Sequence, residues 1–271
     1  MKKILLGCAT VMVSMGVAIA AHHGSQSIEA QLTRAAVGDH RSDKHIARNV
    51  YRHPAETLAF FGLQPDMTVV EISPGGSGWY TEILAPVLRE HGRYVAGSYD
   101  PQSGSDYYRR NAARYLDKLA AAPEIYSEVE VAIFEPPDKL DTVPPGTADM
   151  VLTFRNTHNW MRRGQAEAAY QAFYRMLRDG GTLGVVQHRA PAGSTTDPGR
   201  GYLTEAEVIA VAEKAGFRLD ARSEVNANPE DTADHPEGVW TLPPSLRLGE
   251  TDREKYQAIG ESDRMTLRFV K

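Results

Sequence analysis

The sequence predicts an α/β fold, a doubly wound and mostly parallel β-sheet with helices on both faces. Strand and helix patterns alternate through most of the chain, which is typical of parallel sheets. A glycine-rich turn joins a buried strand to a helix, and Asp149–Phe154 is an apolar run suited to a strand covered on both faces. The 271 residues fit one large domain, or one domain with appendages.

Composition excludes several classes of protein. The net charge of −5 disfavours a nucleic-acid partner, because phosphate binding needs a basic face. The single cysteine, Cys8, excludes an internal disulfide framework and a cysteine-based zinc site.

The first twenty residues have the composition of a signal peptide. Lys2 and Lys3 precede the apolar run Ile4–Ile19, and Ala18-Ile19-Ala20 is a cleavage motif. We therefore expect a periplasmic or secreted protein without stable membrane insertion after cleavage. An uncleaved anchor is an alternative, although the run is short for a membrane span; a lipoprotein motif ending at Cys8 is another.

Polarity, prolines and periodicity predict the elements that follow. Residues 21–42 are polar and are expected to form a linker, so that the folded domain covers 43–271. Pro54 is expected to open the second piece of a helical segment, and Gly92 ends the helix after the glycine turn. The elements predicted up to residue 119 are helix 43–63, strand 68–72, helix 79–90, strand 93–98 and helix 107–119.

Alternation and caps predict the second half. Val129, Val131 and Ile133 alternate with polar residues, as in a half-buried strand. Thr204 and Glu207 form a capping box at the start of a helix. The elements predicted here are strands 129–133, 149–154, 182–187, 218–225 and 265–270, and helices 165–178 and 204–215.

The glycine turn is the strongest indication of a ligand site. Glu71 lies at the end of the first strand, and after Ile72 comes Ser73-Pro74-Gly75-Gly76-Ser77-Gly78. Glycine permits positive φ and close approach of a ligand, and the next helix offers free N–H groups. A dinucleotide loop is an alternative, but its third glycine is replaced by Thr81. An ordinary turn between strand and helix is the other.

Glu71 directly before the glycines resembles motif I of class I S-adenosylmethionine-dependent methyltransferases, and the order of elements over 55–271 resembles that superfamily. More narrowly, Trp79–Leu84, Thr153–Asn156, His158-Asn159-Trp160 and His235–Trp240 resemble exported bacterial predicted methyltransferases. The resemblance implies a seven-stranded sheet of order 3-2-1-4-5-7-6 with strand seven antiparallel.

The resemblance also implies S-adenosylmethionine as the cofactor. Glu71 would face its methionine amino group, Asp100 would hold the ribose hydroxyls, and Glu135 would lie at the adenine edge. The chain departs from the superfamily pattern at Ser73 and Pro74, where many members have glycine. The residues assigned to the cofactor site are Glu71, Ser73, Pro74, Gly75, Gly76, Gly78, Asp100 and Glu135.

Candidate catalytic residues follow strand four, where side chains reach the reacting end of a ligand. Methyl transfer from a sulfonium is an in-line displacement, so a base is needed only when the nucleophile carries a proton. His158 is the candidate base, and Arg155 and Asn159 are candidates for holding the acceptor. Alternatively, Asn156, His158 and Asn159 cap the next helix, and Trp160 belongs to the core.

His188 follows strand five and is expected at the same rim. A lone histidine there is more often structural, but convergence with His158 would favour a catalytic site. A metal held by both histidines with Glu71 or Asp100 is another alternative. Their spacing matches no known ligand pattern, so no metal is predicted.

The polar segment 226–263 is expected to be either a lid over the acceptor or a surface excursion. Asp231, Asp234, His235, Trp240 and Arg247 are its conspicuous side chains.

Two functions follow from these patterns. The first is methyl transfer from S-adenosylmethionine to a small-molecule substrate. The second is an exported small-molecule-binding protein with the same fold and little or no catalysis. The first function conflicts with the predicted export, because S-adenosylmethionine is made in the cytosol. The second avoids this conflict, since fold alone does not fix function.

Overall fold

A computed structural model describes residues 27–271. The predicted signal peptide, residues 1–20, lies outside the described residues. Of the helices from residue 27 onward, none combines the length and the apolar character needed to cross a membrane.

One seven-stranded sheet organises the chain, in the order β3-β2-β1-β4-β5-β7-β6. Neighbouring strands are parallel except at β7, which is antiparallel to both β5 and β6. The predicted sheet, its strand order and its reversed last strand are therefore confirmed. The strands are β1 Thr68–Ile72, β2 Arg93–Ser98, β3 Val129–Ile133, β4 Ala148–Phe154, β5 Leu177–His188, β6 Arg218–Ser223 and β7 Arg264–Val270.

Helices cover both faces, and an apolar core lies on each side of the sheet. Tyr170 and Phe173 belong to one core, while Phe61 and Tyr115 belong to the other. The helices are α1 Ile28–Ala36, α2 Asp43–Ile46, α3 Asn49–Arg52, α4 Pro54–Phe61, α5 Thr81–Leu88, α6 Asp106–Ala121, α7 Pro123–Tyr126, α8 Thr157–Arg162, α9 Ala166–Met176, α10 Glu205–Lys214 and α11 Arg253–Ile259.

Helix α1 lies within the segment 21–42 that the sequence predicts as a linker, so the structure differs from the prediction there. Leu32, Ala35 and Ala36 are buried, and the helix packs against α4 and α5. Ser27 caps its first turn, because its hydroxyl accepts from the Ala30 N–H. Two of the three buried residues are alanines, so the apolar stripe is weak in the sequence.

The helix predicted over 165–178 ends earlier, at Met176, and β5 begins at once with Leu177. Gly180 and Gly181 lie inside this strand rather than ending the helix. The pairing register between β4 and β5 shifts near Ala148, and Gly180 has a φ of 73°. An irregular strand start therefore replaces the predicted turn.

The sheet brings one set of strand ends to a common edge. Parallel strands end on the same side, and antiparallel β7 begins there, with Arg264 paired in register to His188. Residues after β1, β2, β4 and β5 and residues at the start of β7 are therefore neighbours in space, although they are far apart in the chain.

Candidate functional site

A cavity of about 980 Å³ opens at this edge of the sheet. Its walls come from the glycine loop, the ends of several strands, helix α8, the start of β7 and residues 239–247. Ligands bind open α/β sheets at this place, because the connections splay apart beyond the carboxyl ends of the strands.

The glycine loop folds back tightly against α6. Ser73 and Gly75 have φ of 54° and 70°, and the Gly76 N–H donates to Asn111 Oδ1 at 3.2 Å. A Cβ on Gly76 would lie 2.9 Å from Arg114 Nε, so only glycine fits without movement. The loop residues that line the cavity are Ser73, Pro74, Gly75, Gly76 and Ser77.

Gly78 was expected in the cofactor site, but it does not line the cavity. A Cβ there would lie 2.9 Å from the ring of Tyr115. This glycine therefore permits close packing of the loop against α6 rather than close approach of a ligand.

Glu71 lines the cavity at the end of β1 and is 2% exposed. Its Oε2 accepts from the Tyr94 hydroxyl at 2.5 Å and from the Thr81 hydroxyl at 3.5 Å. Within residues 27–271, no hydrogen bond reaches its Oε1. Burial raises the pKa of Glu71 to about 7, against the opposing effect of Tyr94 and Arg155. The carboxyl group thus has one oxygen available to a ligand and titrates near neutral pH.

Asp100 and Glu135 have different positions. Asp100 accepts from the Gln102 N–H and from Lys139, and it does not line the cavity. The hydrogen bond from Lys139 lowers the pKa of Asp100. Glu135 does line the cavity, and its carboxylate accepts from the Ser103 hydroxyl at 2.7 Å.

Tyr99 occupies the cavity wall beside Asp100. Its ring stacks on Tyr108 with centroids 4.3 Å apart and an interplanar angle of 9°. Tyr107 and Arg163 extend this aromatic wall, with the Arg163 guanidinium 5.1 Å from the Tyr108 ring centre. No ligand role is predicted for these rings from the sequence, although Tyr107-Tyr108 at the start of a helix is a visible pattern.

Arg155 and Asn156 follow β4 directly. Arg155 has a φ of 63°, which is uncommon for a residue other than glycine, and it lines the cavity. The Asn156 amide donates to the carbonyls of Ile72 and Ser73 at 3.1 and 3.4 Å. Asn156 therefore ties β4 to the glycine loop, and its side chain makes no capping bond to α8.

His158 and Asn159, on α8, also line the cavity, as does Trp160. Trp160 is 5% exposed and packs against Phe134 and Phe173, with ring centres 5.9 and 5.5 Å away. Trp160 thus belongs to the core, as the alternative predicted, and also forms part of the cavity wall.

His158 and His188 converge, with ring centres 5.7 Å apart. The Gln187 amide donates to the Gly201 carbonyl at 2.8 Å and lies 3.2 Å from His158 Nδ1. Gln187 Oε1 lies 3.4 Å from the same nitrogen, so Nδ1 of neutral His158 can accept from Gln187 or donate to it. Burial lowers the pKa of His158 to about 4 and that of His188 well below its ordinary value. Both rings are therefore neutral at pH 7.

No metal centre is apparent around these histidines. Among residues 27–271, no group of three or more histidine, cysteine, aspartate or glutamate side chains could hold a metal ion. His188 Nδ1 instead lies 2.5 Å from the Ser262 hydroxyl.

Part of the segment 226–263 forms a wall of the cavity. Trp240 lines it with its ring centre 6.0 Å from that of His158, and Arg247 lies 4.7 Å above the Trp240 ring. Asp231 holds the segment in place by accepting from the Tyr202 hydroxyl and the Asp263 N–H and by pairing with His235. The position of Trp240 favours a lid over a surface excursion.

The cavity is strongly basic, although the whole protein is acidic. Its lining contains eight arginines against three glutamates. Three of these arginines, Arg48, Arg52 and Arg264, come from α3, the turn before it and the start of β7, where the sequence analysis predicted no site residue.

Several solved structures share this fold at low sequence identity. An S-adenosylmethionine-dependent methyltransferase from Aquifex aeolicus is 18% identical, with a TM-score of 0.52 and coverage of 74% of this chain and 94% of that chain. The geranyl diphosphate C-methyltransferase of Streptomyces coelicolor A3(2), in complex with Mg²⁺, geranyl diphosphate and S-adenosylhomocysteine, is 16% identical (TM-score 0.51; 88% and 89% covered).

A third structure, the (4+2)-cyclase SpnF, is 12% identical, with a TM-score of 0.55 and coverage of 90% and 92%. No protein-family model and no curated protein matches this chain. The likenesses confirm the methyltransferase fold that the sequence resemblance implied.

Proposed function

We propose that this protein transfers a methyl group from S-adenosylmethionine to a small-molecule acceptor. The observation that carries the proposal is one cavity lined by both halves of such a site. The glycine loop and Glu71 line one side, and Arg155, His158 and His188 line the other. This fold occurs in methyltransferases, one of which was crystallised with S-adenosylhomocysteine.

The residues on the β1 side fit the cofactor. Gly75 has a φ of 70°, and apart from its chain neighbours no atom of residues 27–271 lies within 4 Å of where its Cβ would be, so the loop backbone is open to a ligand there. Glu71 Oε1 has no partner in the described part of the chain and can accept from an ammonium or a hydroxyl group. Tyr99 offers an aromatic face for the adenine ring. Once bound, S-adenosylmethionine supplies an electrophilic methyl group.

The residues after β4 and β5 act on the acceptor. Arg155 and Asn159 orient it, and Trp240 excludes water from above. Because Gln187 contacts Nδ1 of neutral His158, Nε2 is the nitrogen left for the acceptor. Nε2 accepts a proton when Nδ1 carries the hydrogen, and it donates a hydrogen bond in the other tautomer. Alignment of the acceptor and exclusion of water then supply most of the catalysis.

Added S-adenosylhomocysteine is expected to raise the melting temperature of the protein. A ligand present at 100 times its dissociation constant stabilises the folded state by about 2.7 kcal/mol. Thermal unfolding with and without the ligand is the measurement, and adenosine at the same concentration is the control. An unchanged melting temperature at millimolar S-adenosylhomocysteine would contradict the proposal.

That contrary result would favour a binding protein with this fold and little or no catalysis. Two observations favour this second candidate. The cyclase SpnF shares the fold although its name gives a different activity. Burial also lowers the pKa of both cavity histidines, which makes them weak bases, and Gln187 lies 3.2 Å from His158 Nδ1.

We also propose that the mature protein is exported to the periplasm or secreted, from the lysines, apolar run and Ala18-Ile19-Ala20 of the N-terminus. N-terminal sequencing of protein isolated from its native host is expected to begin at Ala21. A chain that begins at Met1 in the cytosol would contradict export, and it would also place the protein where S-adenosylmethionine is made.

A further inference from the structure

Four arginines lie together in the cavity on the side of β4, β5 and β7. We call Arg48, Arg52, Arg155 and Arg264 the arginine cluster; all four line the cavity. Arg155 follows β4, and Arg264 begins β7 opposite His188. The glycine loop and Tyr99 follow β1 and β2, which lie on the other side of β4 in the sheet. Arg155 and Arg264 thus place the cluster on the acceptor side of the proposed site, and Arg52 extends it to the Trp79 ring, 4.7 Å away, next to the glycine loop.

One carboxylate forms ion pairs with three of the four arginines in this cluster. Glu261 accepts from Arg48 Nε at 2.5 Å, from Arg52 Nε at 3.1 Å and from Arg264. The Arg155 guanidinium has no hydrogen bond or ion pair to any residue in 27–271. Four cations against one carboxylate leave three positive charges, and an ionised Glu71 nearby would still leave two.

Two donors of the cluster are buried without a partner in the described part of the chain. Arg52 and Arg264 are 4% and 2% exposed, and Arg52 Nη1 and Arg264 Nε have no hydrogen bond to any of residues 27–271. Burial and the neighbouring cations lower the pKa of Arg155 to about 10, which still leaves it charged at neutral pH. Buried cations that lack a counterion destabilise a protein, so this arrangement calls for an anion.

The backbone of Arg155 supports the same conclusion. Its positive φ is a strained conformation for arginine, and such strain is found mostly at functional sites. The Arg155 N–H donates to the Val186 carbonyl at 2.7 Å, which fixes the residue at the end of β4. The strained turn thereby places an unpaired guanidinium in the cavity wall.

We propose that the arginine cluster binds a carboxylate or phosphate group of the methyl acceptor. The inference rests on the proposed methyl transfer and narrows its acceptor to an anion. Guanidinium groups match these oxyanions in shape and bind them through paired N–H donors. The carboxylate of the cofactor is the other possible source of the same chemistry, and its binding must be tested separately.

Inorganic phosphate is the probe. Titrated calorimetrically into the full chain at constant ionic strength, it is expected to bind saturably. Arg155→Gln should weaken binding by at least about tenfold, because charge-assisted hydrogen bonds are lost. The matched control is Arg163→Gln, which removes an arginine of the same cavity that lies over Tyr108, and it should stay within about twofold of the parent.

A second variant guards against misfolding of the first. Arg48→Gln removes a less buried member of the cluster, with 18% of its side chain exposed, and should also weaken phosphate binding. The proposal is overturned if the parent shows no saturable binding, or if the cluster variants bind phosphate as well as Arg163→Gln does.

S-adenosylhomocysteine and 5′-methylthioadenosine, which lacks the amino-acid part, distinguish the two sources. We expect phosphate and S-adenosylhomocysteine to bind together, and Arg155→Gln to leave both nucleosides unaffected. Two contrary results together would show that the cluster holds the cofactor and that the inference is wrong. These are competition between phosphate and S-adenosylhomocysteine, and an Arg155→Gln variant that binds S-adenosylhomocysteine more weakly but 5′-methylthioadenosine equally well. Phosphate binding without S-adenosylhomocysteine binding would contradict methyl transfer and leave the anion site standing.

Discussion

Glu71→Gln is expected to weaken S-adenosylhomocysteine binding by about ten- to a hundredfold at pH 8, while the protein stays folded. The substitution keeps the shape of the side chain and its contacts with Tyr94 and Thr81, but it removes the negative charge. A carboxylate oxygen that receives an ammonium group forms a charge-assisted hydrogen bond, which an amide oxygen replaces poorly. Isothermal calorimetry on the two proteins measures the difference.

The difference should shrink at lower pH. Because burial raises the pKa of Glu71 to about 7, the parent carboxyl group is mostly protonated at pH 6 and then resembles the amide. The raised pKa also determines whether the stability of the folded state rises or falls with pH. The folded state binds the proton more tightly than the unfolded state, so stability is lost as pH rises from the ordinary value of 4.5 through about 7. Glu71→Gln should therefore be at least as stable as the parent at pH 8.

His158→Ala is the control for this experiment. It alters the acceptor side of the cavity, so it should bind S-adenosylhomocysteine like the parent while reducing any turnover. If Glu71→Gln and the parent bind S-adenosylhomocysteine equally well at pH 8, the cofactor site has been placed wrongly.

Glu82→Ala should lower the free energy of unfolding by about 3–5 kcal/mol. The Glu82 side chain is 3% exposed and pairs with Arg41 at 2.9 Å, His45 at 2.9 Å and Lys118 at 2.5 Å. Arg41 is fully buried, so removal of Glu82 leaves a buried cation without its counterion. Because these partners come from α2, α6 and the turn before α2, the loss would loosen the N-terminal segment and α6 from α5, the helix that carries Glu82. Urea unfolding at neutral pH measures the change.

The contribution of Glu82 to stability changes with pH in the opposite direction from that of Glu71. Hydrogen bonds from His45, Lys118 and Arg41 overcome the cost of burial and lower the pKa of Glu82 to about 2. Its contribution is therefore complete above the ordinary value of 4.5 and is lost as pH falls toward 2. The difference between parent and variant should narrow over that interval.

Glu130→Ala is the matched control for Glu82→Ala. Glu130 pairs with Arg93 at 2.5 Å, but the two side chains are 51% and 40% exposed. An exposed pair contributes less than about 1 kcal/mol, so this variant should unfold almost like the parent. If both variants lost the same free energy of unfolding, burial would not make the Glu82 ion pairs more stabilising than an exposed pair.

The fold could be predicted because each strand left a local pattern. The strand Val129–Ile133 and the capping box at Thr204 both occur where the sequence places them, although Val131 and Ile133 are exposed rather than buried. The segment Thr157–Arg162 forms a helix in the structure that was not predicted, because only caps for the following helix were considered there. A single turn and a half of helix offers too few residues for its periodicity to stand out.

The cavity wall after β2 was harder to predict, because a shift of one residue at the end of a strand changes which side chain faces the cavity. Successive side chains of an extended segment point to opposite faces, so a shift of one position exchanges the two sides. Tyr99 lines the cavity, whereas Asp100 turns toward Gln102 and Lys139. The acid was the more conspicuous residue in the sequence, but its neighbour forms the wall.

Apart from Arg155, the arginine cluster could not be predicted from local patterns. Arg52 and Arg264 share Glu261 although they are more than 200 positions apart in the chain. Each arginine by itself resembles an ordinary polar residue at the end of a helix or strand. Only the sheet order, which brings the start of β7 beside the end of β5, places them together.

The three tryptophans of the chain, Trp79, Trp160 and Trp240, all line the cavity. The guanidinium groups of Arg41 and Arg52 each lie 4.7 Å from the ring centre of Trp79, and Trp240 lies against His158. Indole emission responds to the polarity and charge around the ring, so every fluorophore of this type reports on the cavity and none on a distant surface. The protein therefore carries its own optical reporter of occupancy, and tryptophan-to-phenylalanine variants can assign the response to the loop, α8 or the lid.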